Sequence, residues 1–133
     1  MNPEIQAVLA GQIPGCVVCG DAISMLESLP EQSLVIKNKE ITIITGCSHP
    51  GIIQVVKKVG CDFAEPVHMI LGGFHLLEKS QPEIAKIIEE FKKCGVEKVA
   101  PCHCTGTAAV KLFQKEFENG FIELKTGSLI DLK

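Results

Sequence analysis

The chain has 133 residues, a size that suits one domain with one core. Its composition, 46% hydrophobic and 22% charged with a mean hydropathy of +0.26, excludes a disordered segment. A net charge of -3, a pI near 5.8 and scattered lysines give no electrostatic basis for binding a polyanion, so no nucleic acid is expected. No apolar run reaches the roughly 18 residues of a bilayer span, and "MNPEIQAVLAGQ" lacks the basic start and long apolar centre of a signal peptide. No membrane partner and a cytoplasmic location are therefore expected, and seven cysteines, an odd number, suit a reducing compartment.

In chain order, "EIQAVLAG" reads as a weak helix, "CVVCG" as a short strand and "DAISMLESL" as a second helix. The pattern changes near "LPEQS", which separates an N-terminal segment of residues 1–29 from a domain of residues 30–133. "SLVIK" and "EITIITG" are β-rich runs joined by a short polar turn, the pattern of a hairpin. In "CSHPGIIQVVKKVG", Pro50 suits a first helical turn and Gly60 a helix end, while Ile52, Ile53, Val56 and Val59 recur at helical spacing. "PVHMILGG" is an apolar run closed by a glycine pair and reads as a buried strand. "QPEIAKIIEEFKKCG" is a helix with Ile84, Ile87, Ile88 and Phe91 on one stripe. "VEKVAPCH" reads as a strand, "TGTAAVKLFQKEFENG" as a helix burying Ala109, Val110, Phe113 and Phe117, and "GFIEL" and "GSLIDL" as closing strands. The alternation of strands and helices after residue 30 defines an α/β layer arrangement.

Of the four histidines, His49, His75 and His103 each follow an apolar strand-like run, where an α/β sheet places its functional groups. Three strand-end imidazoles beside Gly, Pro, Ser or Thr point to a metal or acid/base cluster. His68 lies inside a strand and reads as a structural residue. If "PCHC" is extended, Cys102 and Cys104 share one face and His103 points to the other, which argues against a compact site made of these three alone. Cys47 is equally well explained as a small buried hydrophobe. "CVVC" at 16–19 has redox or zinc spacing, without a second such pair. After His49 and His103 the chain turns into a helix N-terminus. Ser48, Thr105 and Gly106 are thus candidates for holding a substrate phosphate or carboxylate, with plain helix capping as the competing role.

Together, "PEQSLVIKNKEITIITGCSHPGI", "ILGGFHL" and "PCHCTG", in this order and spacing, resemble the C-terminal half of metallo-β-lactamase-fold proteins. The branch is that of metal-dependent hydrolases similar to 7,8-dihydropterin-6-methyl-4-(β-D-ribofuranosyl)-aminobenzene-5'-phosphate synthase, and the resemblance covers about residues 30–133. It implies half of an αββα sandwich, with a mixed sheet carrying helices on one face and a zinc-type site between two sheets. His49 falls on the family's third metal motif, His103 on its last, and His75 near the place of a bridging carboxylate, so the resemblance implies all three as metal ligands. A divalent metal, zinc by preference, and a small-molecule substrate are implied with them. The family's H-x-H-x-D-H motif has no counterpart, because no two histidines here are separated by one residue.

A truncated domain of this kind leaves an apolar sheet face open. At ~25 cal/mol per Å² an uncovered face of several hundred Å² forfeits on the order of 10 kcal/mol, so a homo-oligomer or a complementary N-terminal half is expected. Two other readings remain open: a non-catalytic α/β binding or assembly module, or degenerate fragment, and a small zinc or redox module built on Cys16, Cys19, Cys102 and Cys104. Residues 14–34 loosely resemble the opening of amino-group DNA methyltransferases, but no catalytic motif of that family follows and methyl transfer is not supported.

Overall fold

The computed structural model describes residues 4–9 and 32–132. Its strands are β1 (Glu4–Leu9), β2 (Gln32–Lys37), β3 (Ile41–Thr45), β4 (Val67–Gly73) and β5 (Lys98–Cys102). Its helices are α1 (Ile52–Phe63), α2 (Gln81–Lys93) and α3 (Thr107–Phe117). The strands form one sheet in the order β1-β2-β3-β4-β5. The β1–β2 and β2–β3 pairs are antiparallel, and the β3–β4 and β4–β5 pairs are parallel. Each parallel pair needs a crossover, which α1 and α2 supply, whereas the short turn after Lys37 suffices for the hairpin. The α/β class with a mixed sheet is as the sequence predicts.

The β-pairing register aligns Val35, Ile43, Ile70 and Val99 across the sheet. All four are fully buried, and with Val55, Val56 and Val59 of α1, Ile84, Ile88 and Phe91 of α2, and Ala109 and Phe113 of α3 they form one core. The helices therefore cover this face of the sheet. At its centre the rings of Phe74, Phe91 and Phe113 meet pairwise with centroids 5.3 to 5.6 Å apart, the tilted arrangement that ring quadrupoles favour. Ile53, Ile87 and Phe117 flank the core, only partly buried. The opposite face carries a second row in register, Leu34, Ile44, Leu71 and Ala100. There Leu34 is 37% exposed and Ile44 and Leu71 are half-buried.

Several sequence expectations are corrected. "EIQAVLAG" yields strand β1 rather than a helix; so short an apolar run fits either period, and pairing with the edge of β2 decides the matter. Helix α1 begins at Ile52, after Pro50, and runs past Gly60 to Phe63, ending on Ala64 in the left-handed conformation. The closing strands do not form. Phe121 makes an isolated bridge to Val99, the Ser128 hydroxyl accepts from the Lys125 N–H in a turn, and Leu132 then lies back beside the β2–β3 turn, its carbonyl accepting from the Asn38 side chain at 3.0 Å. The segments "CVVCG" and "DAISMLESL", and the boundary at residues 29 and 30, lie outside the described residues.

Helix α2 is fixed at its start by a reciprocal capping box. Ser80 accepts from the Glu83 N–H, and the Glu83 carboxylate accepts from the Ser80 N–H at 2.7 Å. These bonds, the backbone one first, hold the Glu83 carboxyl below the usual carboxylate range. His68 is structural as expected, lying 2.9 Å from the Glu40 carboxylate and 3.4 Å from that of Glu97. No helix among the described residues is long and apolar enough to cross a membrane.

Candidate metal centre

Strands β3, β4 and β5 run parallel, so the loops that leave their carboxyl ends, residues 46–51, 74–80 and 103–106, gather at one edge of the sheet. Backbone and hydroxyl groups tie them together. The Gly73 N–H donates to the Gly46 carbonyl at 2.8 Å, and the Ser48 hydroxyl donates to the Gly73 carbonyl at 2.7 Å. The Phe74 N–H donates to the Thr105 hydroxyl at 3.0 Å, and that hydroxyl donates to the Cys102 carbonyl at 2.7 Å. Three residues in these loops, Ser48, His75 and His103, hold φ values of 59, 53 and 55°, the left-handed region that costs a residue with a side chain about 1–3 kcal/mol. Such strain persists only where the surroundings over-determine it, and here it gathers at the strand ends.

Two imidazoles meet in this place: the His49 and His75 rings lie edge to face with centroids 4.9 Å apart. They line a cleft of about 610 Å³ whose walls also include Phe74, Leu77, Lys79 and Cys104, within the range of small-molecule sites. His103 takes different neighbours. Its Nε2 lies 3.1 Å from the Cys47 sulfur, and among the described residues the ligand atoms of Cys47, His103 and Cys104 form one set within 4.8 Å of each other. The three predicted histidines are therefore carried on adjacent loops, His49 with His75 and His103 with two thiols.

This placement corrects the reading of "PCHC" as extended. Strand β5 ends at Cys102, and His103–Thr105 form a 3₁₀ turn. The turn brings Cys104 and His103 to the same neighbour, Cys47, instead of setting Cys104 beside Cys102. The Cys104 thiol donates to the Cys47 carbonyl at 3.4 Å. The sequence held a signal for this in Thr105-Gly106, a turn dipeptide directly after the second cysteine. Burial pushes the Cys102 and Cys104 thiols up; at Cys104 the backbone N–H of His75 works in the opposite direction and Cys47 adds to the rise.

The hydroxyls of Ser48 and Thr105 differ from their expected anion-binding role. Both residues are fully buried and their hydroxyls are bonded within the fold. They position the loops, because each hydroxyl can donate one bond and accept another from groups that would otherwise be unsatisfied. Gly106 precedes α3 with φ 87°, and a Cβ on it would lie 2.9 Å from Leu77 Cδ1, so Leu77 packs over that turn.

As a donor set, two sulfurs and an imidazole nitrogen fit a zinc-type ion, which accepts tetrahedral sulfur and nitrogen ligands. His49 and His75 add nitrogen donors on the neighbouring loops.

No protein-family model matches the chain. The chain is 38% identical over 97 residues to 7,8-dihydropterin-6-methyl-4-(β-D-ribofuranosyl)-aminobenzene-5'-phosphate synthase of Methanocaldococcus jannaschii, a match covering 72% of this chain and 33% of the relative. It is 40% identical over 91 residues to an uncharacterised protein of the same organism, covering 68% of this chain and 33% of that one. Among solved structures, a crystal structure of a metal-dependent hydrolase of the β-lactamase superfamily superposes with a TM-score of 0.73 at 43% identity, over 77% of this chain and 41% of the other. The chain thus spans about a third of the length of the curated relatives it matches. Sequence and fold agree: the chain belongs to the metallo-β-lactamase superfamily, in the branch of the pterin-phosphate synthase.

Proposed function

We propose that this chain contributes a metal-binding wall to a metal-dependent active site of the hydrolase or pterin-phosphate synthase type, acting on a phosphorylated small molecule such as a pterin precursor. The observation that carries this reading is the gathering of His49, His75 and His103 on three tied loops at the carboxyl ends of parallel strands. It is supported by the name of the 38% identical relative and the description of the 43% identical structure.

In this reading His49 and His75 on one side and His103 on the adjacent loop are ligands for divalent metal, zinc by preference, which when bound would supply Lewis-acid polarisation of the electrophile and acidification of water. The chain's own residues do the rest. Ser48 and Thr105 fix the loops that carry the imidazoles, and Lys79 on the cleft wall offers positive charge to a substrate phosphate. Leu77 and Phe74 give the cleft an apolar wall for a planar ring. The remaining ligands and the cover for the second sheet face come from a second copy of the chain or from a complementary N-terminal half.

The test is metal-dependent turnover of the purified protein, alone and with the N-terminal half of a full-length relative supplied separately. Chelation abolishes activity and zinc restores it, and His49→Ala lowers kcat/KM by about 100-fold or more. Absence of metal uptake under both conditions refutes the reading.

A further inference from the structure

Cys47 and Cys104 are brought to His103, and the histidine reading uses neither thiol. Cys47 comes from the loop after β3, His103 and Cys104 from the turn after β5, and Gly73 at the end of β4 lies between them. A Cβ at Gly73 would stand 2.8 Å from the Cys104 sulfur and 3.2 Å from His103 Cδ2. The sulfur and imidazole groups therefore occupy the room a side chain would take. Cys47 Sγ is 3.1 Å from His103 Nε2, and all three donor atoms lie within 4.8 Å of one another. Donors bound tetrahedrally to zinc at its usual bond lengths are about 3.4–3.8 Å apart, a spacing that small side-chain rotations reach from the 3.1 Å contact between Cys47 and His103.

We infer that Cys47, His103 and Cys104 form a thiolate metal site within this chain, selective for a zinc-like or softer cation, with its fourth position open. The donor chemistry sets the selectivity. Two sulfurs and one nitrogen with no carboxylate suit zinc, cadmium or cobalt and offer magnesium and calcium nothing. The surroundings supply an outer shell: the Gly73 N–H, bonded to the Gly46 carbonyl at 2.8 Å, fixes the loop that carries Cys47 beside β4, the kind of contact that orients a ligand. Cys104 also lines the cleft that holds His49 and His75, so the site adjoins the place where a substrate would lie. The inference does not require the pterin-type reading. It needs only the donors of this chain, whereas turnover requires the complete site.

The experiment is titration of the reduced, metal-free full chain with Co²⁺ and Cd²⁺, followed by thiolate-to-metal charge-transfer absorption. The expected result is a band that saturates at one equivalent. Cys47→Ser and Cys104→Ser each lose most of the band and weaken cadmium binding by more than about 100-fold, beyond the 10–100-fold typical of outer-shell changes. Cys102→Ser, the double variant Cys16→Ser/Cys19→Ser, and His49→Ala keep the band. Since a variant can fail through misfolding, the wild-type protein gives an independent reading: bound cadmium protects Cys47 and Cys104 from alkylation, mapped by peptide mass spectrometry, while Cys61 reacts as before. No band, a band retained in Cys47→Ser/Cys104→Ser, or protection of other cysteines overturns the inference. A band without turnover refutes only the proposed function, and turnover without a band refutes only this site.

Discussion

Gly73 has no side chain because every direction a Cβ would take is filled. The Gly46 carbonyl oxygen would lie 2.3 Å away and the Cys104 sulfur 2.8 Å away. Backbone oxygen cannot retreat without breaking the 2.8 Å bond between the Gly73 N–H and the Gly46 carbonyl, which joins two of the site loops. Gly73→Ala is therefore expected to cost about 1–3 kcal/mol, the range of overpacking, and to weaken metal uptake as the loops separate. Urea denaturation and cadmium titration measure the two effects, and an unchanged midpoint with unchanged affinity contradicts the packing argument. At this scale the sequence exposes residue type and position well. It identifies His68 as a residue inside a strand, and its ring nitrogens lie 2.9 and 3.4 Å from the Glu40 and Glu97 carboxylates. Cys47 and Cys104, by contrast, look like bystanders until the turn at His103 is known, because 57 positions separate them in the chain.

Among the elements, the helices are legible because their apolar residues repeat with the helical period. Ile84, Ile88 and Phe91 of α2 and Ala109 and Phe113 of α3 are buried where periodicity predicts. Phe113 is the point where these two helices and the loop after β4 converge, since its ring meets Phe74, Phe91 and Phe117. Phe113→Ala leaves a cavity at the core centre and is expected to cost about 3–5 kcal/mol, read from the urea midpoint. Phe117→Ala, at a half-buried position, is expected to cost clearly less; equal losses would show that the triad is not the centre of packing. Strand ends and helix ends are less legible than helix stripes. Gly60 looks like a stop signal, yet the i to i+4 pattern of buried Val55, Val56 and Val59 carries α1 through it. "GSLIDL" has strand composition, but it pairs with no described strand: after the turn at Lys125 and Ser128 its Leu132 carbonyl accepts from the Asn38 side chain instead.

For the whole molecule, the decisive asymmetry is between the two faces of the sheet. One packs under three helices, and the other carries the row of Leu34, Ile44, Leu71 and Ala100, in which Leu34 is 37% exposed, Ile44 and Leu71 are half-buried and Ala100 is buried. The proposed assembly predicts that this row is covered in solution by a second copy or by a complementary half. Sedimentation equilibrium is expected to give a mass above that of one 14.4 kDa chain, and Leu34→Lys to shift it toward the monomer by placing a charge where apolar burial supplies ~25 cal/mol per Å². A monodisperse wild-type monomer refutes the assembly. The sequence by itself determined the α/β class, the hairpin, the helix stripes and the three motifs that mark the superfamily, because these depend on local periodicity and short spacing. Only the tertiary structure decided that the N-terminal run becomes an edge strand, that the last segments form no strand, and that Cys47 and Cys104 join His103. Those outcomes are set by which groups meet across parallel strands, and no spacing along the chain encodes a distance across it.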